Sequence, residues 1–248
     1  MKSSSEYRKL ARASLQGHWT MGAVATVIAH GVIFLSSFVP FIGWAANFLL
    51  FPLYYGYDRH FLLLKRGQVE GMGGLFIGFR KGSYGRTLWA YTLAMAYIML
   101  WFFTLFMPVI FFLSWYTRMG EVIMENPTLS PNQILHESVT NMTSLNWSPA
   151  SQAVLGLWLL LLCIPGVLAF ARYSMIGMIL VDRPELSGAA VVGESARITK
   201  GHKWEIIRLT FSFIGWFLLA SFTGGLGLFW LSAYYRTALS WFYEDLRS

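Results

Sequence analysis

The sequence predicts an all-α fold: a polytopic helical membrane protein of about six transmembrane helices in three hairpins, with amphipathic helices on the membrane surface. Three observations carry this. Only 12% of the 248 residues are charged, half the ~25% of a soluble domain, so the chain could not give itself a wetted surface. Several apolar runs reach the ~20 residues that a bilayer crossing needs. The 19 Lys and Arg residues are also unevenly spread, with only Arg118 falling between Trp115 and Gln152. Basic loops stay on the cytoplasmic side, so that asymmetry orients the chain and leaves both termini in the cytoplasm.

Residues 1–18 predict a cytoplasmic amphipathic helix. Ser3 and Glu6 fit a capping box. Tyr7, Leu10, Ala11 and Leu15 share one face, and Arg8, Lys9 and Arg12 lie on the other. Such a helix suits the surface of an anionic leaflet. Residues 19–248 then predict a single six-helix membrane domain. Trp19–Val39 is the first span. It is too long for a signal-peptide core and has no small-x-small exit site, so it is expected to remain in the membrane. Pro40 and Gly43 mark a turn. Trp44–Leu64 returns as the second span or re-enters, since Pro52 and Asp58 weaken that run. Residues 65–86, with Arg80, Lys81 and Arg86, form a cytoplasmic segment.

Thr87–Tyr116 is the third span, long enough to tilt or kink. Residues 117–151 form an outside loop, punctuated by Pro127, Pro131 and Pro149. Asn141 and Asn146 there match the glycosylation pattern. Gln152–Val181 is the fourth span, with a break expected at Ile164-Pro165-Gly166, because proline frees a carbonyl that neighbouring helices must satisfy. Residues 182–204 are cytoplasmic and carry an amphipathic helix over Leu186–Thr199, capped by Ser187. Trp204–Phe222, a turn over Thr223–Gly227, and Leu228–Tyr243 complete the third hairpin.

The two ends of the chain resemble each other. Gly17-His18-Trp19 and Gly201-His202-Lys203-Trp204 each lead into a span. Tyr54-Tyr55 and Tyr234-Tyr235 each mark the return. The middle hairpin is a looser third copy, from Gly85 to Arg172-Tyr173. Internal repeats are frequent in transporters, and duplication yields them equally in proteins that transport nothing.

No catalytic signature is present: no H-E-x-x-H, G-x-S-x-G, Walker A or C-x-x-C. Cys163 is the single cysteine, too few for an internal disulfide and best read as a small buried side chain. His18, His30, His60, His136 and His202 lack metal-ligand spacing. The reading is therefore not an enzyme, with no metal and no cofactor. The net charge of +7 flanks apolar runs, which fits anionic lipid headgroups rather than nucleic acid.

Chemistry could live in ionisable groups at depth. At about 1.5 Å per residue, Arg236 lies roughly 12 Å into a ~30 Å core, where a charge costs at least ~2.5 kcal/mol. It needs a partner or a cavity. Asp58, Arg59, His60, Arg172 and Arg236 are thus candidate ligand-binding residues lining a cytoplasm-facing cavity, where guanidinium groups would favour a lipid phosphate or a carboxylate. The competing reading is an internal Asp58–Arg236 pair that holds the bundle together.

Ordered motifs add a resemblance. They run Ile164-Pro-Gly166, Tyr173-Ser-Met175, Leu180-Val-Asp182, Ser195 with Lys200-Gly-His-Lys-Trp204, Ser212-Phe-Ile-Gly-Trp216, Gly225-Leu-Gly227 and Phe242-Tyr-Glu-Asp-Leu246. With Arg8-Lys-Leu-Ala-Arg12 and Gly17-His-Trp19, the chain resembles the bacterial integral-membrane family catalogued as domain of unknown function nine-seven-five. The resemblance implies a polytopic inner-membrane protein and supplies no catalytic residues. Three function classes remain. The first is a non-catalytic accessory, regulatory or envelope-associated component, with a membrane-protein partner or a second copy of itself. The second is a small transporter or lipid-handling protein that binds an anionic lipid or metabolite. The third is an intramembrane lipid enzyme, for which no nucleophile or base can be named.

Overall fold

The computed structural model describes residues 1–38, 43–140 and 149–247. Its described residues are helical, with no strand among them. In order they form α1 (Ser4–Leu15), α2 (Trp19–Ser36), α3 (Gly43–Leu49), α4 (Pro52–Lys65), a 3-10 helix (Met72–Phe79) and α5 (Tyr84–Glu125). There follow α6 (Pro131–Thr140), α7 (Pro149–Tyr173), α8 (Ile176–Asp182), α9 (Gly188–Ile198), α10 (Lys203–Phe211), α11 (Ile214–Ser221) and α12 (Gly227–Arg247). Three stretches among the described residues are long and apolar enough to cross a membrane: Trp19–Ser36, Ile164–Asp182 and Lys203–Ser221. That is fewer than the six expected.

The chain divides into two compact units, Met1–Ala96 with Phe170–Ser248, and Tyr97–Ala169. In the first, α12 is the central element, with α1, α2, α4 and α11 packed on it. α4 in turn carries the 3-10 helix and α8. Close backbone approach makes the first of these contacts possible. A Cβ on Gly56 would run into the main chain of Leu75, and one on Gly78 into that of Pro52. The 3-10 helix therefore lies directly against the α4 backbone, as small residues permit between membrane helices.

α1 forms as its sequence predicts. Ser3 accepts from the Glu6 N–H, and the Glu6 carboxylate accepts from the Ser3 N–H, closing the capping box. Its apolar face is covered by protein rather than lipid: Tyr7, Ala11 and Leu15 are buried, and Tyr7 meets Phe242 edge-on at 5.3 Å. Polar bonds fix the register. Tyr7 Oη donates to Asp245 (2.8 Å), Lys2 Nζ pairs with Asp245 (2.6 Å), Arg8 donates to the Ser212 carbonyl (2.8 Å), and Trp241 Nε1 donates to Ser14 Oγ (3.0 Å). Asp245 is pulled two ways. Burial raises its pKa, while hydrogen bonds from Lys2 and Tyr7 lower it, and the net shift is downward.

The turn into α2 is made by Gly17 at φ 80°, and the turn into α10 by Gly201 at φ 90°, a region L side chains rarely adopt. In each case the histidine that follows, His18 or His202, occupies the N-cap position with closely similar dihedrals, −123°/10° and −114°/12°. α2 and α11 leave large apolar side chains uncovered, among them Phe34, Leu35, Trp216, Phe217, Leu218 and Leu219. Such a surface suits lipid rather than water.

Several predicted boundaries move. The second predicted span, Trp44–Leu64, is divided into α3 and α4 at Leu50-Phe51, because Pro52 has no N–H to continue the ladder. The break expected at Ile164-Pro165-Gly166 is absent. α7 runs through Pro165, and the interruption comes at Ser174-Met175, before α8. Proline removes one donor without forcing an end, whereas at residue 174 the N–H turns back to the Ala171 carbonyl. The predicted fifth span is stepped at Ser212-Phe213 between α10 and α11. Ser187 caps α9 by accepting from the Ala190 N–H, as predicted.

In the second unit, the segment expected as an outside loop is largely helical. α5 continues to Glu125, and α6 begins at Pro131, preceded by Ser130, whose N–H donates to Gln133 (3.0 Å). Proline is well placed at a first helical turn, which is why Pro131 and Pro149 mark helix starts, while Pro127 lies in the turn between α5 and α6. Phe112 stacks on Tyr116 along α5. The two glycosylation patterns at Asn141 and Asn146, and most of the Pro40–Gly43 turn, lie outside the described residues.

Candidate functional site

The first unit buries one ion pair between helices. Asp58 sits midway along α4 with its side chain 4% exposed, and Arg236 on α12 stands 2.9 Å from its Oδ1. Tyr91 of α5 donates to the other oxygen, Oδ2, at 3.0 Å. Gly177 of α8 closes the fourth side, because a Cβ there would overlap the Asp58 carboxylate. Four helices thus converge on one carboxylate. The fit is imperfect in one respect. The Arg236 approach lies outside hydrogen-bond geometry, and Oδ1 keeps an unused acceptor.

Aromatic side chains surround the guanidinium. Arg236 lies over the Tyr57 ring at 5.7 Å, a cation–π distance. Tyr57 and Thr26 share a hydrogen bond of 2.9 Å. The Thr26 hydroxyl donates to the Gly22 carbonyl, which leaves its oxygen to accept from Tyr57. His30 meets the rings of Tyr57 and Tyr54 edge-on at 5.2 and 5.8 Å, and its Nδ1 lies 3.1 Å from the Thr26 carbonyl.

Of the five residues singled out from sequence, the structure brings only Asp58 and Arg236 together. Arg59 turns to Glu70 in a bidentate pair, with one leg at 2.7 Å. His60 is buried edge-on to Phe61, with Nε2 unpartnered. The guanidinium of Arg172 lies over its neighbour Tyr173 at 5.7 Å, and its carbonyl accepts from Ser195 (2.9 Å) and Thr199 (3.2 Å) of the α9 segment. Successive residues 58, 59 and 60 of one helix point about 100° apart, and here they turn to different neighbours: Arg236, Glu70 and Phe61.

A second polar cluster escaped the sequence reading. Arg66, just past α4, makes two bonds to Asp182 at the end of α8 (2.7 and 2.8 Å) and one to Glu244 of α12 (2.8 Å). Tyr243 donates to Asp182 at 3.1 Å, and Arg247 also pairs with it. Lys65 reaches Glu244 at 3.4 Å and lies 4.4 Å above the Trp241 ring. The only available signal was the placing of Lys65-Arg66, Asp182 and Glu244 each at the end of an apolar run. No group of three metal-ligating side chains occurs among the described residues.

The family whose description reads "Protein of unknown function (DUF975)" matches residues 1–248, and the chain belongs to it. No curated protein and no solved structure matches.

Proposed function

We propose that this chain is a non-catalytic, multi-pass component of a bacterial cytoplasmic membrane, an accessory or regulatory subunit associated with the envelope. On this reading it has six spans in three repeated hairpins, with both termini on the cytoplasmic side; three of those spans are matched by stretches long and apolar enough to cross a membrane among the described residues. One observation carries the reading: the most costly charges in the bundle, Asp58 and Arg236, face each other between α4, α5, α8 and α12. Intramembrane charges mark a transport path when they line water. Here each has a protein partner, which suits a scaffold whose surfaces act on other molecules. The repeat is supported by the matching Gly17-His18 and Gly201-His202 turns. Uncovered apolar side chains on α2 and α11 suit lipid, a membrane-protein partner or a second copy.

The second reading is a small transporter or lipid-handling protein. It is favoured by the 24% exposure of the Arg236 side chain and by the unused acceptor on Asp58 Oδ1. Native mass spectrometry of gently extracted wild type beside Arg236→Ala separates the two. The accessory reading expects a stoichiometric protein partner. An anionic lipid or metabolite lost on Arg236→Ala would replace it with the second reading. Reporter fusions after residues 75 and 130 test the topology, with the first expected inside and the second outside.

A further inference from the structure

A cavity of about 360 Å³ opens beside the Asp182 cluster, lined by Ile179, Arg183, Glu194, Arg197, Tyr243 and Arg247 together with Ile198 and Leu246. Its size falls at the small end of ligand pockets, about 300–1,000 Å³. α8, α9 and α12 supply its walls, all within the first unit. It shares none of the five residues singled out from sequence.

Its charge is unbalanced. Three arginines and one glutamate line it, and Arg247 also pairs with Asp182 just beyond the wall, which leaves one positive charge, that of Arg183, in excess. Glu194 is already committed. Arg197 bonds it at 2.7 Å through both Nε and Nη2. That bond, and then the charges of Arg197 and Arg183, hold the Glu194 carboxyl below its usual range, so it is ionised at neutral pH. Arg247 is engaged with Asp182. The Arg183 guanidinium has no ion pair or hydrogen bond among the described residues. A free guanidinium and two others at the wall of one concave site suit a tetrahedral oxyanion, to which arginine can donate two parallel N–H bonds. Tyr243, now donating to Asp182, adds a hydroxyl. Ile179, Ile198 and Leu246 supply an apolar side that free solvent does not need but a glycerol or acyl shoulder does.

We infer that this cavity binds a phosphate group, held first by Arg183 and flanked by Arg197 and Arg247. Two sources share that chemistry: the headgroup of an anionic phospholipid and a free phosphate. The lipid source rests on the cytoplasmic placement proposed above, since α8 and α12 would end at the inner leaflet. The preference for phosphate rests on the lining alone.

The test uses the full chain in phosphatidylcholine nanodiscs, with thermal unfolding as readout. One arm adds phosphatidic acid to the bilayer, and the other adds inorganic phosphate to the buffer. Wild type is compared with Arg183→Gln/Arg197→Gln and with Arg80→Gln/Lys81→Gln, which removes the same charge elsewhere. A saturable rise in Tm for wild type and for the Arg80/Lys81 variant is expected, with apparent affinity falling about tenfold or more in the Arg183/Arg197 variant. A response to phosphatidic acid alone assigns the lipid, and a response to both assigns the phosphate itself. No saturable rise in wild type, or an equal rise in both double variants, overturns the site. A C-terminal reporter found outside would remove the inner-leaflet source and the proposed topology, while leaving the phosphate arm to stand or fall separately.

Discussion

The two ion clusters of the first unit make different use of the same chemistry. At mid-bundle, Asp58 has one cation, one hydroxyl and no open side. At the end of α8, Asp182 has two arginines and a tyrosine, and those arginines remain 27% and 41% exposed. The first cluster is sparse and enclosed, the second rich and open to solvent. Desolvation makes the enclosed pair most sensitive to loss of Arg236, because the stranded Asp58 carboxylate, 4% exposed, has no water to fall back on, whereas Arg236 itself is 24% exposed. The open cluster holds more bonds, yet each is individually replaceable.

The largest expected effect follows from that contrast. Asp58→Ala or Arg236→Ala should lower unfolding stability by about 3–5 kcal/mol, read as thermal or denaturant unfolding in detergent. The exchanged pair Asp58→Arg/Arg236→Asp should recover part of the loss. A single substitution that costs less than the open-cluster variants would break the comparison.

Asp182→Ala removes bonds to Arg66, Arg247 and Tyr243 but leaves the arginines partly hydrated, so about 1.5–3 kcal/mol is expected. Salt sharpens the distinction. At about 1 M the screening length is about 3 Å, so high salt should shrink the Asp182 effect and spare the Asp58 effect.

Gly177→Ala tests how tightly the enclosed site is fitted. The new methyl would push on the Asp58 carboxylate and loosen the Tyr91 bond, at a cost of about 1–3 kcal/mol. A melting curve equal to wild type would mean that α8 can slide away from α4.

The smallest effect concerns α1. The folded pKa of Asp245 lies below the unfolded value of about 3.9, so its contribution to docking is full above that value and declines as pH falls through the folded one. Because Lys2 is 43% exposed, less than about 1 kcal/mol is at stake. Amide protection across residues 4–15, taken relative to the intrinsic exchange rate at each pH, should fall with acidification, and Asp245→Asn should remove most of that pH dependence.

Helical class, the Ser3–Glu6 and Ser187 caps, and the start of the first span were legible in the sequence, because each depends on residues within a turn or two. Composition and apolar run length likewise pointed to stretches long and apolar enough to cross a membrane, of which three stand among the described residues. The stepping of α3 to α4 at Pro52 was half legible: proline announces a lost donor, but the sequence does not say whether the helix divides, as there, or continues, as at Pro165. Tertiary structure alone decided which charges meet. Arg66 finds Asp182 across 116 positions and Glu244 across 178. Gly177 leaves room for the Asp58 carboxylate beside α8, and Gly22 lets α2 come close to Ala233 of α12, three positions from Arg236. The sequence required that a charge at the depth of Arg236 be neutralised or hydrated. The crossing of helices, set by side-chain volumes far apart in the chain, chose the partner.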